Sequence, residues 1–329
     1  MPKRRRWRRV LLITVIVLAV LAGGGLVAGG LYLHSVDSSV KRVDAFTEIP
    51  ARYRPQKVVT DAQNILILGS DTRDPQSVGG SRSDTIILAH LQKDHGGAQL
   101  ISIPRDTWLH VPATADGRQG NQDAKINAAF AWGGIPLTVQ TVETFTGVRV
   151  DHVVVVDFAG FKEIVDALGG VDLDVEHAFT STHSLNSNGR RDFAQGWQHM
   201  DGAAALDYSR ERYAFADGDF ARIRHQQQVI RAILDKAAAG GLLTNPARLN
   251  AFLRATANAV SVDNTLSIFD TAMDLRHLRS GNLKFLTSPS KGTGTVGDQS
   301  VVLADPVKDH ALFDAVRRDD TAGILATAN

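Results

Sequence analysis

The chain has 329 residues, a formal net charge of +1 and no cysteine, which excludes disulfide scaffolds, Cys-ligated zinc, iron–sulfur clusters and thiol catalysis. Residues 1–9 carry six basic side chains and no acidic one, leaving 30 basic against 35 acidic residues in the remainder. A body with that balance is a poor candidate for nucleic-acid binding, which needs a basic surface. Its 43% of hydrophobic residues suits one large folded domain or two small ones.

Residues 10–33 are uncharged. As a helix they reach roughly 36 Å, against a hydrocarbon core of about 30 Å, so the sequence predicts one transmembrane helix. The basic block on its N-terminal side puts residues 1–9 in the cytoplasm and the rest of the chain outside the cell membrane. A cleaved signal peptide is the competing reading, but such apolar cores run only about 7–15 residues. Residues 34–60, mixed in charge and holding Pro50 and Pro55, read as an extracytoplasmic stalk. Residues 61–329 read as the folded domain.

Within that domain, short apolar runs predict strands at 64–69, 84–91, 98–103, 151–158, 171–175, 283–286 and 300–303. Helical patterns fall between them. Segments 126–132 and 137–145 flank a break at Gly133-Gly134-Ile-Pro136, and 161–168 stops at Gly169-Gly170. Asp201 is placed to cap a helix that must end before Arg210. The longest helix is expected over 219–239, followed by helices at 246–257 and 266–278. Strands alternating with helices define an α/β class. The stretch 176–200 reads as a long loop, a length often tied to function.

Familiar signatures are mostly absent. There is no Walker A sequence, H-E-x-x-H or G-x-S-x-G. Gly292-Thr-Gly294-Thr-Val-Gly297 has the glycine spacing of a dinucleotide loop, but a strand pattern follows it where a phosphate-binding helix would have to begin.

What remains is a set of Asp and Arg residues at strand ends. Asp71 and Arg73 follow the first predicted strand, Arg82 and Asp84 precede the second, and Arg105 and Asp106 follow the third. Hard carboxylates suit Mg²⁺ or Mn²⁺. Arg forks suit phosphate oxygens. A site with both fits a metal–pyrophosphate. Further along, Asp219, Arg222 and Gln226 share one helix face, whereas Arg224 points the other way. Arg210 and Arg212 can face one anion only where the chain between them is extended. Lys125 is either a further phosphate contact or a solvated helix start. A long apolar carrier would need a tunnel, for which the apolar faces of 130–145, 161–168 and 229–234 are candidates, as they equally are for plain core.

These motifs together resemble the LytR–CpsA–Psr family of cell-envelope proteins. The resemblance rests on Asn64-Ile-Leu-Ile-Leu-Gly-Ser-Asp-Thr-Arg73, Arg82-Ser-Asp-Thr85, Ser102-Ile-Pro-Arg-Asp106, Lys125-Ile-Asn-Ala-Ala-Phe130 and Asp151-His-Val-Val-Val-Val-Asp-Phe158. It continues in Asp166-Ala-Leu-Gly-Gly-Val171, Arg210-Glu-Arg212, Gly218-Asp-Phe-Ala-Arg222 and Arg224-His-Gln-Gln227. It implies a three-layer α/β/α domain with a central mixed sheet, holding a polyprenyl pyrophosphate and transferring a glycopolymer phosphate from that carrier to peptidoglycan. Asp71 and Asp84 match the positions that serve a divalent metal, Mg²⁺ or Mn²⁺. Arg82, Arg105, Lys125, Arg210, Arg212, Arg222 and Gln226 match those lining the phosphate end. Ser209 departs from the apolar residue commoner before Arg210. Arg105, Asp106, Arg210 and Arg212 are the expected catalytic group, with Asp106 either orienting or deprotonating the acceptor hydroxyl, or instead bridging to Arg105 or another neighbour. A polyprenyl-pyrophosphate pyrophosphatase and a non-catalytic carrier-binding regulator remain alternatives.

Overall fold

The computed structural model describes residues 40–70, 83–182, 189–238, 245–267, 270–271 and 280–327. The predicted membrane span, with Asp71, Arg73 and Arg82, lies outside the described residues, as does most of the helix expected at 266–278. Among the described residues no helix is long and apolar enough to cross a membrane.

A seven-stranded mixed sheet forms the centre, in the order β1-β12-β7-β2-β3-β4-β13. Its strands are β1 (Lys41–Val43), β2 (Gln63–Ser70), β3 (Ser83–Leu91), β4 (Ala98–Ser102), β7 (His152–Asp157), β12 (Val260–Asp263) and β13 (Leu283–Thr287). β2 runs parallel to β7 and antiparallel to β3, and β3 is antiparallel to β4. Both faces are covered, which is why the strands are apolar nearly throughout rather than alternating. On one face Leu66, Leu68, Leu88 and Val153 pack with α1 (Ala128–Thr146) and α6 (Pro306–Arg317) through Phe130, Val139, Leu312 and Phe313. On the other, Ile65, Ile87 and Leu100 meet Ile230 of α4 (Asp219–Ala238). α2 (Phe158–Ala167), α3 (Gly202–Arg210) and α5 (Pro246–Ala259) complete the domain with α7 (Thr321–Thr327).

A second, four-stranded sheet has the order β14-β15-β5-β6. It contains β5 (Thr107–Val111), β6 (Gln122–Lys125), β14 (Ser290–Val296) and β15 (Gln299–Ala304). The strand expected after the glycine-spaced segment is β15, and the segment itself, for which no strand was expected, forms most of β14 and enters the hairpin turn. The break in α1 is also where it was expected: Gly133 and Gly134 leave helical geometry, Gly134 at φ 62° and ψ −149°, a region glycine alone enters freely.

Three expectations need correction. Within the stretch 34–60, expected as a stalk, the described residues pack on the domain, with Val43, Ala45 and Ile49 in its core. Lys41–Val43 joins the sheet edge beside β12, and Arg54 forms an ion pair with the buried Glu143 at 2.7 Å. Stretch 176–200 is not a plain loop. β8 (Val171–Val175) pairs with β11 (Gly196–Met200), and β9 (Phe179–Thr180) pairs with β10 (Asp192–Phe193). Phe179 stacks on Phe193 at 4.8 Å there, a contact between residues too far apart in sequence for any local pattern to reveal. Finally, α3 runs through Arg210 rather than ending before it. The Asp201 carboxylate caps it as predicted, accepting from Ala204 N–H.

Candidate functional site

The sheet topology brings the predicted strand ends to one edge. β2 and β7 finish together, with Ser70 opposite Asp157. β3 is antiparallel to both its neighbours, so its start lies at that same edge. Asp84 sits at that start, and Arg105 follows β4. The first turns of α2 and α4 arrive there too, with the C-terminus of α3, because α2 and α4 line the same cavity as these strand ends.

That cavity has a volume of about 380 Å³. Its inner wall is apolar: Ile67, Ile87 and Leu100 from the sheet, Phe161 and Ile164 from α2, and Ile233 from α4. Its mouth carries Asp84, Arg105, Arg210, Arg212, Arg222 and Gln226. Two of the three segments expected to line a tunnel do so. The third, 130–145, does not, because Phe130, Val139 and Val142 are consumed by the core on the opposite sheet face.

At the mouth, cations and carboxylates interlock. Arg105 Nη1 is paired with Asp84, and its Nε lies 3.8 Å from Asp106 and 4.0 Å from Asp219. Burial works against the charged guanidinium, but Asp84, Asp106 and Asp219 outweigh it and hold Arg105 above its ordinary pKa. Asp219 and Arg222, three residues apart on α4, pair at 2.5 Å. Burial raises the Asp219 pKa against the pull of Arg222. Burial likewise lowers that of Arg222, which is only 4% exposed. Arg224 pairs with Asp217 on the outer surface, as its helical phase required.

Asp106 takes the bridging role. Its Oδ1 lies 3.3 Å from Lys125 Nζ and its Oδ2 3.5 Å from Arg212 Nη1. With one oxygen toward each cation, Asp106 fixes Lys125 and Arg212 around the mouth, and its side chain stays 16% exposed. Lys125 itself does not line the cavity.

Several buried polar atoms here make no hydrogen bond among the described residues: Arg105 Nε, Arg210 Nη1, Arg222 Nε and Asp219 Oδ2, while Asp219 Oδ1 is held by its ion pair with Arg222. Unpaired buried donors and acceptors are costly, so this set is built to receive something. Donors suit phosphate oxygens. The carboxylates of Asp219 and Asp84 suit a hard divalent cation, since Mg²⁺ is commonly held by one or two carboxylates together with substrate phosphates. The described residues contain no cluster of three acidic or His ligands; Asp71, the other expected ligand, is outside them.

Sequence reasoning missed two positioning residues. Phe158, first residue of α2, lies under the Arg210 guanidinium at 4.4 Å. Glu211, 2% exposed, accepts N–H bonds from Thr182, Arg212, Tyr213 and Ala214. It adopts an extended conformation directly after α3. This lets Arg210, at the helix end, and Arg212, beyond it, both reach the mouth. The Arg-Glu-Arg string was visible, but nothing in it signalled that the middle residue points inward.

The fold is an α/β domain whose apolar cavity opens at a mouth of arginines and carboxylates. The chain belongs to the LytR_cpsA_psr family, which it matches over residues 33–311. It is 35% identical over 228 residues to the polyisoprenyl-teichoic acid–peptidoglycan teichoic acid transferase TagU of Bacillus cereus, covering 67% of this chain and 70% of that protein. It is 33% identical over 311 residues to the probable cell wall biosynthesis protein LcpB of Corynebacterium glutamicum, covering 89% of this chain and 70% of that one. The crystal structure of TagV from B. subtilis superposes with a TM-score of 0.63 at 26% identity, over 81% of this chain and 98% of that one.

Proposed function

We propose that this chain is a cell-wall transferase that moves a glycopolymer phosphate from a polyprenyl-pyrophosphate carrier to peptidoglycan, working outside the membrane from an anchor at residues 10–33. The relatives named as teichoic acid transferases support the transfer. The observation that carries the reading is the cavity itself: an apolar interior suited to a prenyl chain ends in arginines, three of which (Arg105, Arg210 and Arg222) each keep one buried donor without a hydrogen bond among the described residues.

In the proposed reaction an acceptor hydroxyl attacks the phosphorus that bears the glycan. A new P–O bond forms to the acceptor. The bond to the bridging oxygen breaks, the hydroxyl proton passes to the departing phosphate or to solvent, and polyprenyl monophosphate leaves. Arg105, Arg210, Arg212 and Arg222 hold the pyrophosphate and stabilise charge that grows on the leaving phosphate. Gln226 adds an amide at the same rim. Asp106 keeps Lys125 and Arg212 in place. Asp84, Asp219 and Asp71 would hold Mg²⁺ or Mn²⁺, which supplies charge neutralisation at the phosphates.

The competing chemistry is hydrolysis, with water in place of the sugar hydroxyl. Incubating the full-length chain with a lipid-linked glycan and peptidoglycan fragments separates the two. Transfer yields a joined glycan–phosphate–peptidoglycan product by mass spectrometry. Release of free glycan phosphate at the same rate with or without acceptor contradicts it.

A further inference from the structure

A second concavity lies away from the lipid cavity and shares no residue with it. It is a groove of about 1270 Å³ between the β5–β6 hairpin, α1 and the chain segment 44–53. Along α1 it extends from Trp132 to Thr144, roughly 18 Å at helical rise. It is long, open and mixed in polarity, so a prenyl chain has no reason to occupy it.

Its walls have the chemistry that grips sugars. Tyr53, 56% exposed, and the partly exposed Trp132 offer aromatic faces for the apolar C–H face of a pyranose. Asn121 and Gln140 supply amides for ring substituents, while the Thr114 and Thr144 hydroxyls already donate to Asp116 and to the Gln140 carbonyl. The helical break at Gly133-Gly134 forms part of the wall, so a ligand there meets backbone without a side chain in front of it.

Charge separates this groove from the cavity mouth. Asp44, Glu48 and Asp116 line it against Arg52 and His110. Arg52 already lies over the Tyr53 ring at 4.6 Å. An acidic groove repels a polymer of phosphodiesters, while the arginine-rich mouth attracts one. The two substrates of a transferase are thereby sorted, the phosphorylated donor to the mouth and a phosphate-free chain to the groove. The hairpin also joins the two sites. Lys125, paired with Asp106 at the mouth, stands opposite Trp108. His110, at the near end of the groove, is two residues further along β5, about 7 Å at strand rise.

We infer that this groove seats the acceptor, a phosphate-free strand of N-acetylated sugars, and feeds its hydroxyl toward Asp106 and Arg212. The assignment rests on the transferase reading for its purpose, though not for its test. The probe is a β-1,4-linked tetramer of N-acetylglucosamine, titrated into the full-length chain in detergent, with a glycerol-phosphate oligomer as comparison. The expected result is saturable binding of the tetrasaccharide over the phosphate oligomer, about tenfold weaker in Tyr53→Ala, weakened also in Gln140→Ala and unchanged in Arg210→Ala. In transfer assays Tyr53→Ala raises the acceptor KM and leaves the donor KM alone. Equal affinity in wild type and both groove variants, absence of saturable binding, or preference for the phosphate oligomer overturns the inference. A chain that binds the tetrasaccharide through Tyr53 and yet never transfers leaves the groove standing and sinks the transferase reading instead.

Discussion

Truncating Glu211 to alanine is expected to cost both stability and activity. Its buried carboxylate accepts from four backbone N–H groups, at 2.5 Å from Thr182, 2.9 Å from Arg212, 2.8 Å from Tyr213 and 3.1 Å from Ala214. The Thr182 hydroxyl adds a fifth donor at 2.9 Å. Each such charge-assisted bond is worth roughly 1.5–3 kcal/mol. They do not add, and water reaches some donors after truncation, so the net loss is about 3–4 kcal/mol. For a domain of this size that lowers Tm by roughly 6–12 °C. Glu211→Gln keeps the shape and one acceptor oxygen and is expected to lose about half as much. Burial opposes the ionised form of Glu211, but these N–H bonds outweigh it and lower its pKa below the ordinary 4.5. The gap between wild type and Glu211→Gln is therefore full above pH 4.5 and closes as pH falls through the folded-state value. With Arg212 unmoored, transfer measured well below Tm falls at least about tenfold. Wild-type Tm and rate in Glu211→Ala would refute the idea that this carboxylate sets the two arginines.

Three further outcomes are expected. Ile233→Trp puts bulk into the cavity from α4. Calorimetry is expected to find polyprenyl-pyrophosphate affinity down at least about tenfold with inorganic pyrophosphate affinity unchanged; equal losses would place the lipid elsewhere. Asp84→Ala frees Arg105 of its partner and removes a carboxylate from the proposed metal site, so activity is lost with its Mg²⁺ dependence; a variant with a normal Mg²⁺ response contradicts the metal assignment. His225, buried beside the Tyr208 ring at 4.3 Å, has its pKa pushed down to about 4 by burial first and by Arg224 second. The unfolded chain takes up that proton near pH 6.5, so stability is full above it and is lost as pH falls toward 4, by about 3 kcal/mol. Denaturant titrations of His225→Phe between pH 7 and 4 are expected to lack this slope, and an unchanged slope rules the histidine out.

The strands of the main sheet were legible because burial on both faces makes them short, continuous apolar runs. The phase of α4 was legible too: Asp219, Arg222 and Gln226 against Arg224 follows from 3.6 residues per turn alone. Four elements were not legible for a common reason. β1 edges the main sheet, β12 lies between β1 and β7, and β5 and β6 belong to the second sheet; all four are only three to five residues long, too short for a local period to mark them. The tunnel segment at 130–145 failed because an amphipathic pattern reports that a helix buries a face, never which sheet face receives it. The role of Glu211 escaped because an acidic residue between two arginines reads as surface charge, and only the turn after α3 points it inward.

The central claim is that the cavity holds a prenyl chain by its walls and its pyrophosphate by the arginines. The most direct measurement is native mass spectrometry of the full-length chain released from detergent, followed by fragmentation of any bound lipid. The account predicts a polyprenyl pyrophosphate adduct that disappears in an Arg210→Ala, Arg222→Ala double variant that remains folded. Phospholipid alone, or the same adduct retained in full by that variant, would contradict it.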